Sequence, residues 1–502
     1  MTDADARNAA PTGATAAPAP AGTPASEVSA GNAAVAEATR AAAGTGPALG
    51  RRLTPAQLTM MSLGGAIGAG LFVGSGTAIS MAGPAVLVAY AIAGLIIIAV
   101  MFMLGEMAVR EPASGAFSVF AERAMGRVAG TTVGWLYWFQ MIVVVAAEAL
   151  GAAGVVNGWF PALGVGGWVL VFMAAFTALN LLDVKHYGRA EFWFASLKVA
   201  AIVLFLILGA ALLLGLIPNV PSPGLSHLFP PEGFAPTGLD GIAAALLVVL
   251  FAFGGTEIAA IAAAETAEPA ASIQRAVRST TFRILVFYIG SIFVIVAALG
   301  WNDPAVKEGP FASVLELTRI PAVDTIISVI VVIALLSALN ANLYAGSRMI
   351  FSLSARRNAP AFLSRVSGDG VPRAAVLASV AFGFAMGIVA LVAPEAELLD
   401  MALMVIGSTI IVLWVTITVS YLILRRRGDR AGEQLGFRLA GGTAVASLAL
   451  VGLLGIIVLT LANESRGQLL LTIGLAIVIA IVSAIVFRVV PPRAPEEERP
   501  AG

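Results

Sequence analysis

Three ionisable side chains stand inside long apolar runs of the 502-residue chain: Glu148 in GWLYWFQMIVVVAAEALGAAG, Lys198 in FWFASLKVAAIVLF, and Glu257 in FAFGGTEIAA. A charge placed in hydrocarbon is costly, so each is a candidate for function by default. Lys198, deep in its run, could exchange a proton with a pathway. When charged it would donate to backbone carbonyls, such as those of Gly64 and Ile67, and when neutral it would release them. The plainer alternative is a lysine whose stem lies in the apolar layer while its ammonium reaches the interface. Glu257 could gate, relay a proton or cap a helix end. Glu148 could line a pathway or pair with another buried group. Glu106 and Glu265 lie near run ends and read as structural. Asn340 and Asn342 read as packing residues that could also bond across helices.

Two glycine-rich stretches supply a second kind of chemistry. Gly64-Gly65-Ala66-Ile67-Gly68-Ala69-Gly70 lies in the first apolar run, and Phe253-Gly254-Gly255-Thr256-Glu257 in the sixth. Glycine at this density works against a continuous helix. A broken helix frees N–H and C=O groups that need partners in a medium without water. A half-helix starting at a break offers N–H groups and a positive dipole end to a carboxylate. A half-helix ending at one offers carbonyls to an ammonium. Two breaks five helices apart are the expected mark of a transporter with its site at the bilayer midplane. The competing reading is close helix packing through small residues.

The elements that carry these residues are membrane spans. Hydrophobic residues make up 59% of the chain and charged residues 12%, about half the charge of an ordinary soluble protein. Apolar runs of spanning length occupy 57–81, 84–108, 131–156, 164–182, 192–216, 239–264, 282–300, 325–351, 374–392, 398–424, 439–461 and 469–487, predicting about twelve transmembrane helices in an all-α membrane protein. With the N-terminus inside, the 29 Lys and Arg fall on cytoplasmic segments except Lys307, Arg319 and Arg466, and Lys198 within a span. Basic residues concentrate on the cytoplasmic side of membrane proteins, so both termini are expected there. Residues 114–127, with Phe117, Phe120, Ala121 and Ala124 at helical spacing, predict a short amphipathic helix at that surface. Residues 1–50, rich in Ala, Pro, Gly and Thr, are expected to be a disordered tail, residues 51–490 the membrane domain, and 491–502 a second tail.

Composition also closes off function classes. The chain has no cysteine and a formal net charge of zero, so thiol chemistry is excluded and nothing points to nucleic acid. His186 and His227 lack metal-ligand spacing. With no nucleotide loop and no serine–histidine arrangement, no catalytic residues, metal site or cofactor are expected, and the chain does not read as an enzyme.

Several motifs carry a family resemblance: GAIGAGLFVGSG, GEMAVREPASGAFSVFAERAMGRVAGTTVGWLYW, AEFWFASLKV, FAFGGTEIAAIAAAE and LYAGSRMIFSLSARRNAPA. Together they resemble the amino acid transporter family of the amino acid–polyamine–organocation superfamily. GWLYW, LLDVKHYG, FYIGSIFVIVAALGWN and SVLEL are most similar to its γ-aminobutyrate permease branch. The resemblance implies a leucine-transporter-type fold of five plus five inverted helices and two accessory ones, with the first and sixth broken. It implies substrate carboxylate binding at Ile67, Gly68, Ala69 and Gly70, and amine binding at Phe251, Ala252, Phe253 and Gly254, with Phe251 as an aromatic gate. Lys198 matches a lysine that takes the place of a sodium ion in proton-coupled relatives. The middle residue of the Gly-x-Gly triplet is Ala69, where many relatives carry a hydroxyl side chain.

The expected function is proton-coupled amino acid symport across a bacterial inner membrane, with γ-aminobutyrate or another neutral amino acid as substrate. Its energy source is the proton gradient, and Lys198, Glu257, Glu148 and Gly64 are the candidate coupling or gating residues. Exchange of one amino acid or amine for another, and amino acid sensing without net flux, are the alternatives.

Overall fold

A computed structural model describes residues 67–110, 116–181, 184–257, 269–367, 370–393, 397–432, 437–462 and 466–489. The two predicted tails, Gly64 and Glu265 lie outside the described residues. Every regular element among those described is a helix. In chain order they are α1 (Ala69–Phe72), α2 (Gly74–Ala82), α3 (Val86–Arg110), α4 (Ala116–Met125), α5 (Arg127–Trp159), α6 (Gly164–Asn180), α7 (Val184–Leu213) and α8 (Gly238–Ala252). There follow α9 (Pro269–Ala298), α10 (Pro304–Glu308), α11 (Pro310–Glu316), α12 (Val323–Ala355), α13 (Arg373–Val392), α14 (Leu398–Arg430), α15 (Gly442–Leu461) and α16 (Arg466–Val489).

Each of the twelve apolar runs meets a helix where its residues are described. Nine helical stretches among the described residues are long and apolar enough to cross a membrane. Gly238–Ala252 and Leu285–Ala298 are apolar but shorter. The first of the nine, Gly74–Arg110, includes the end of the first run and all of the second, and Gly83 and Pro84 turn the chain between them.

Burial sorts the helices by depth. The most apolar window of α5 is 83% buried and that of α16 only 17%, although both are strongly apolar. An all-round apolar helix is stable when enclosed by other helices or by lipid. α5 is the first kind, packed along α12 and α14. α16 is the second, with Leu470, Leu471, Ile477, Val478, Ile481 and Val482 exposed. α2 packs on α8, α3 on α9 and α6 on α13, while α15 and α16 both rest on α14. Short α1 therefore sits in a nest made by α5, α8 and α12.

Two polar ties fix the periphery. Glu106, at the end of α3, is buried and accepts hydrogen bonds from Tyr421 Oη (2.8 Å), Arg425 (3.0 Å) and the Leu439 N–H (2.8 Å). It joins α3 to α14 and to the segment before α15, the structural role its sequence position suggests. α4 buries Phe117, Phe120, Ala121 and Ala124, the face its periodicity marks. Phe117 meets Tyr137 of α5 edge-on at 4.5 Å, and Ser118 Oγ donates to the Gly130 carbonyl at 2.8 Å. Arg356, just past α12, donates to Glu122 and Ser118 of the same helix.

Candidate functional site

Ile67 and Gly68, where description of the first glycine-rich stretch begins, are buried and not helical. Gly68 has φ −149° and ψ −145°, and helix begins only at Ala69. The freed Ala69 N–H donates to the Glu148 carboxylate from α5, 3.0 Å from one oxygen and 2.9 Å from the other. Both partners are buried, Ala69 fully and Glu148 to 2% exposure. A single N–H is thus shared between two carboxylate oxygens, a charge-assisted bond when Glu148 is ionised.

The glycines on either side of Ala69 permit this approach. A methyl group at Gly68 would strike Glu148 Oε1 and lie 2.7 Å from the Ala338 side chain. At Gly70 it would lie 2.5 Å from Cα and 3.0 Å from the backbone nitrogen of Ala252 in α8. The Gly70 contact is backbone against backbone, which no rotamer change can relieve.

On the opposite side, α8 ends at Ala252 and residues 253–257 form turns, with Gly255 at φ +91°. Glu257 is buried within this turn, where it accepts a hydrogen bond from the Gly255 N–H at 3.0 Å. The Thr256 hydroxyl donates to the Phe253 carbonyl at 3.2 Å. The Phe253 ring packs 4.9 Å from Tyr288 and 5.9 Å from Tyr90.

A small cleft lies between these pieces. Gly70 contributes from α1, Gln140, Met141, Val144 and Glu148 from α5, Phe251, Gly254 and Gly255 from the end of α8, and Asn342 from α12. Its free space is about 10 Å³, roughly one water. A larger groove of about 510 Å³ on the flank of α16, lined in part by Trp135, Pro360, Val482 and Phe487, contains none of the predicted site residues.

Of those residues, Gly70, Phe251, Gly254 and Glu148 line the cleft. Gly68 and Ala69 hold its Glu148 wall, and Ala252 abuts Gly70. Ile67 and Phe253 are buried in the surrounding core. Lys198, on α7, is fully buried. Gly64 is not among the described residues.

Sequence reasoning passed over Gln140, Met141 and Val144, and took Gly255 only as part of the second glycine-rich stretch. The first three belong to the face of α5 that carries Glu148. Gln140, Val144 and Glu148 recur at i, i+4 and i+8, which stacks them on one side of a helix. Polar residues eight apart in an otherwise apolar run were the signal for that face. Asn342, read as packing, also lines the cleft, and its Nδ2 donates to the Ala338 carbonyl of its own helix at 2.8 Å. Asn340 accepts from Asn180 Nδ2 of α6 at 2.7 Å, a bond between helices.

Comparison with known proteins gives this arrangement a context. Residues 57–492 match a family model described as amino acid permease. The chain is 45% identical to the aromatic amino acid transport protein AroP of Corynebacterium glutamicum over 84% of its own length and 91% of the relative's. It is 45% identical to a probable GABA permease of Pseudomonas aeruginosa, covering 76% and 81% of the two chains. With the gamma-aminobutyric acid permease of Bacillus subtilis it shares 39% identity over 88% and 94%.

Proposed function

The chain belongs to the amino acid permease family, and from that premise we propose that it carries a neutral amino acid across the bacterial cell membrane together with a proton. It is a multi-span membrane transporter rather than an enzyme. The proposal adds twelve spans with both termini cytoplasmic, two inverted five-helix repeats, breaks in the first and sixth spans, and γ-aminobutyrate or an aromatic amino acid as substrate. The names of its relatives favour those two substrate types.

One observation carries the reading: the Ala69 N–H, freed where helix begins after Gly68, is held by a carboxylate. A backbone donor that already binds Glu148 in the protein interior has the chemistry to bind the carboxylate of a substrate. The free volume of the cleft is far too small for an amino acid, so loading requires movement. In this reading the substrate carboxylate takes the place of the Glu148 carboxylate, which swings aside. The carbonyls at the end of α8, from Phe251 to Gly254, accept from the ammonium of an α-amino acid.

Proton coupling follows from charge balance. Glu148 and Lys198 are both buried in the interior, so displacing Glu148 changes the charge balance around Lys198. The displaced Glu148 takes up a proton and becomes neutral, and the substrate carboxylate replaces it as the counter-charge to Lys198, so no lone buried ion is left. Glu257, bonded within the turn that follows α8, gates by holding or releasing that turn. At a membrane potential of 100 mV, one charge crossing with a neutral zwitterion is worth about 2.3 kcal/mol, or roughly fifty-fold accumulation.

Reconstituted vesicles test this directly. With acid outside and no amino acid inside, a symporter accumulates labelled γ-aminobutyrate or tryptophan above equilibrium. An exchanger takes up label only when the lumen is preloaded, and that outcome would replace the coupling model. Saturable binding without either flux would support a sensor.

A further inference from the structure

Gln140 is buried to 1% exposure, yet its Oε1 has no hydrogen-bond partner among the described residues. It lines the same cleft as Glu148. A buried acceptor without a donor is a costly arrangement that calls for an explanation. Most polar side chains of the cleft already have one. Glu148 is bonded to Ala69, and Asn342 to Ala338. Gln140 thus presents an acceptor to the cleft that the protein itself leaves unanswered.

Its position says which part of a ligand would answer it. Gln140 and Glu148 share one face of α5, separated by eight residues or about 12 Å along the axis. A substrate whose carboxylate replaces that of Glu148 at the Ala69 N–H has its α-carbon beside α1. An α-ammonium is one carbon further and stays at that end. Between the two polar residues the wall is apolar, formed by Val144 and Met141, with Phe251 across the cleft. Methylene groups or an aromatic ring suit that stretch, and the far end of such a molecule meets Gln140.

We propose that Gln140 is a specificity-determining residue whose side-chain oxygen accepts a hydrogen bond from a donor at the end of the substrate remote from its carboxylate. The matching chemistry is the ω-ammonium of an ω-amino acid or the N–H or O–H of an aromatic ring. This inference rests on the transport reading above and deepens it. A site built around a hydrogen bond penalises a ligand lacking the donor far more than an apolar pocket penalises a change of shape. Aliphatic amino acids without a distal donor are therefore poor substrates.

The test compares matched ligands by calorimetric titration of the full chain in lipid nanodiscs. Each pair differs in the distal donor: γ-aminobutyrate and its N,N,N-trimethyl derivative, tryptophan and indole-N-methyltryptophan, tyrosine and O-methyltyrosine. The wild type is expected to prefer the donor-bearing member of at least one pair by about tenfold or more. Gln140→Met, of similar volume, erases that preference while leaving the affinity for the blocked member within about twofold. Gln140→Glu, which keeps an acceptor, retains it. An undiminished preference in Gln140→Met overturns the assignment, as does a wild type that binds both members of every pair equally. A wild type that binds no member of any pair overturns the transport reading and the assignment with it, an outcome distinct from the first two.

Discussion

Replacing Glu148 by Gln should tighten substrate binding even though it removes a charged group from the site. Glu148 and an incoming substrate carboxylate compete for the Ala69 N–H. That N–H lies 3.0 and 2.9 Å from the two Glu148 oxygens, so it forms one shared bond and counts once. A hydrogen bond to a charged group contributes about 1.5–3 kcal/mol and a neutral one about 0.5–1.5 kcal/mol. The amide therefore holds Ala69 less firmly by roughly 1–1.5 kcal/mol, and substrate affinity rises about tenfold. The sign with pH follows the same competition. Protonating Glu148 removes the competing anion, so wild-type affinity should rise as pH falls, and the Gln variant should show a flatter profile. Proton-driven accumulation should drop in the same variant, because one of the two buried charges is gone. Equilibrium binding of labelled γ-aminobutyrate and tryptophan to purified protein at several pH values measures the first effect. Vesicle uptake measures the second, and a thermal melt reports whether the fold survives. Unchanged or weaker binding in a variant that melts normally would refute the idea that Glu148 occupies the substrate's place.

Lys198→Met should abolish accumulation driven by an acid-outside gradient while leaving the protein in the membrane, read by vesicle uptake and membrane yield. Gly70→Ala should weaken binding by about fivefold or more, since the new methyl group meets the Ala252 backbone at 2.5 Å and overpacking of this kind costs about 1–3 kcal/mol. Gly254→Leu should also abolish binding, because even a methyl group there lies 2.7 Å from the Ile410 side chain; near-normal affinity in either glycine variant would show that the cleft lies elsewhere. Glu106→Ala should lower the apparent melting temperature by several degrees with little change in substrate preference, because it strips the acceptor from Tyr421, Arg425 and the Leu439 N–H and leaves Arg425 only the more distant Asp429 carboxylate, at 4.0 Å, among the described residues.

What could be read from residues in order was whatever hydrocarbon enforces locally. Each span must bury its own backbone and exclude charge, so the apolar runs and the basic segments flanking them were visible one at a time. The amphipathic face of α4 and the isolation of Glu148, Lys198 and Glu257 were legible for the same reason. Glycine density marked where a continuous helix is disfavoured, and the motifs around those glycines pointed to the family. What no run shows is which helix faces which. α5 and α16 are both strongly apolar, yet one is enclosed and the other exposed, because an apolar helix is equally content against protein or lipid and only packing decides between them. The bond from Glu148 to Ala69 joins residues 79 apart in sequence, and the contact of Gly70 with Ala252 joins two separate helices. Gln140 gained a meaning only once the fold left its oxygen buried without a donor among the described residues. A hydrogen bond, or the lack of one, depends on distances of a few ångströms in space, and those are set only when the helices assemble.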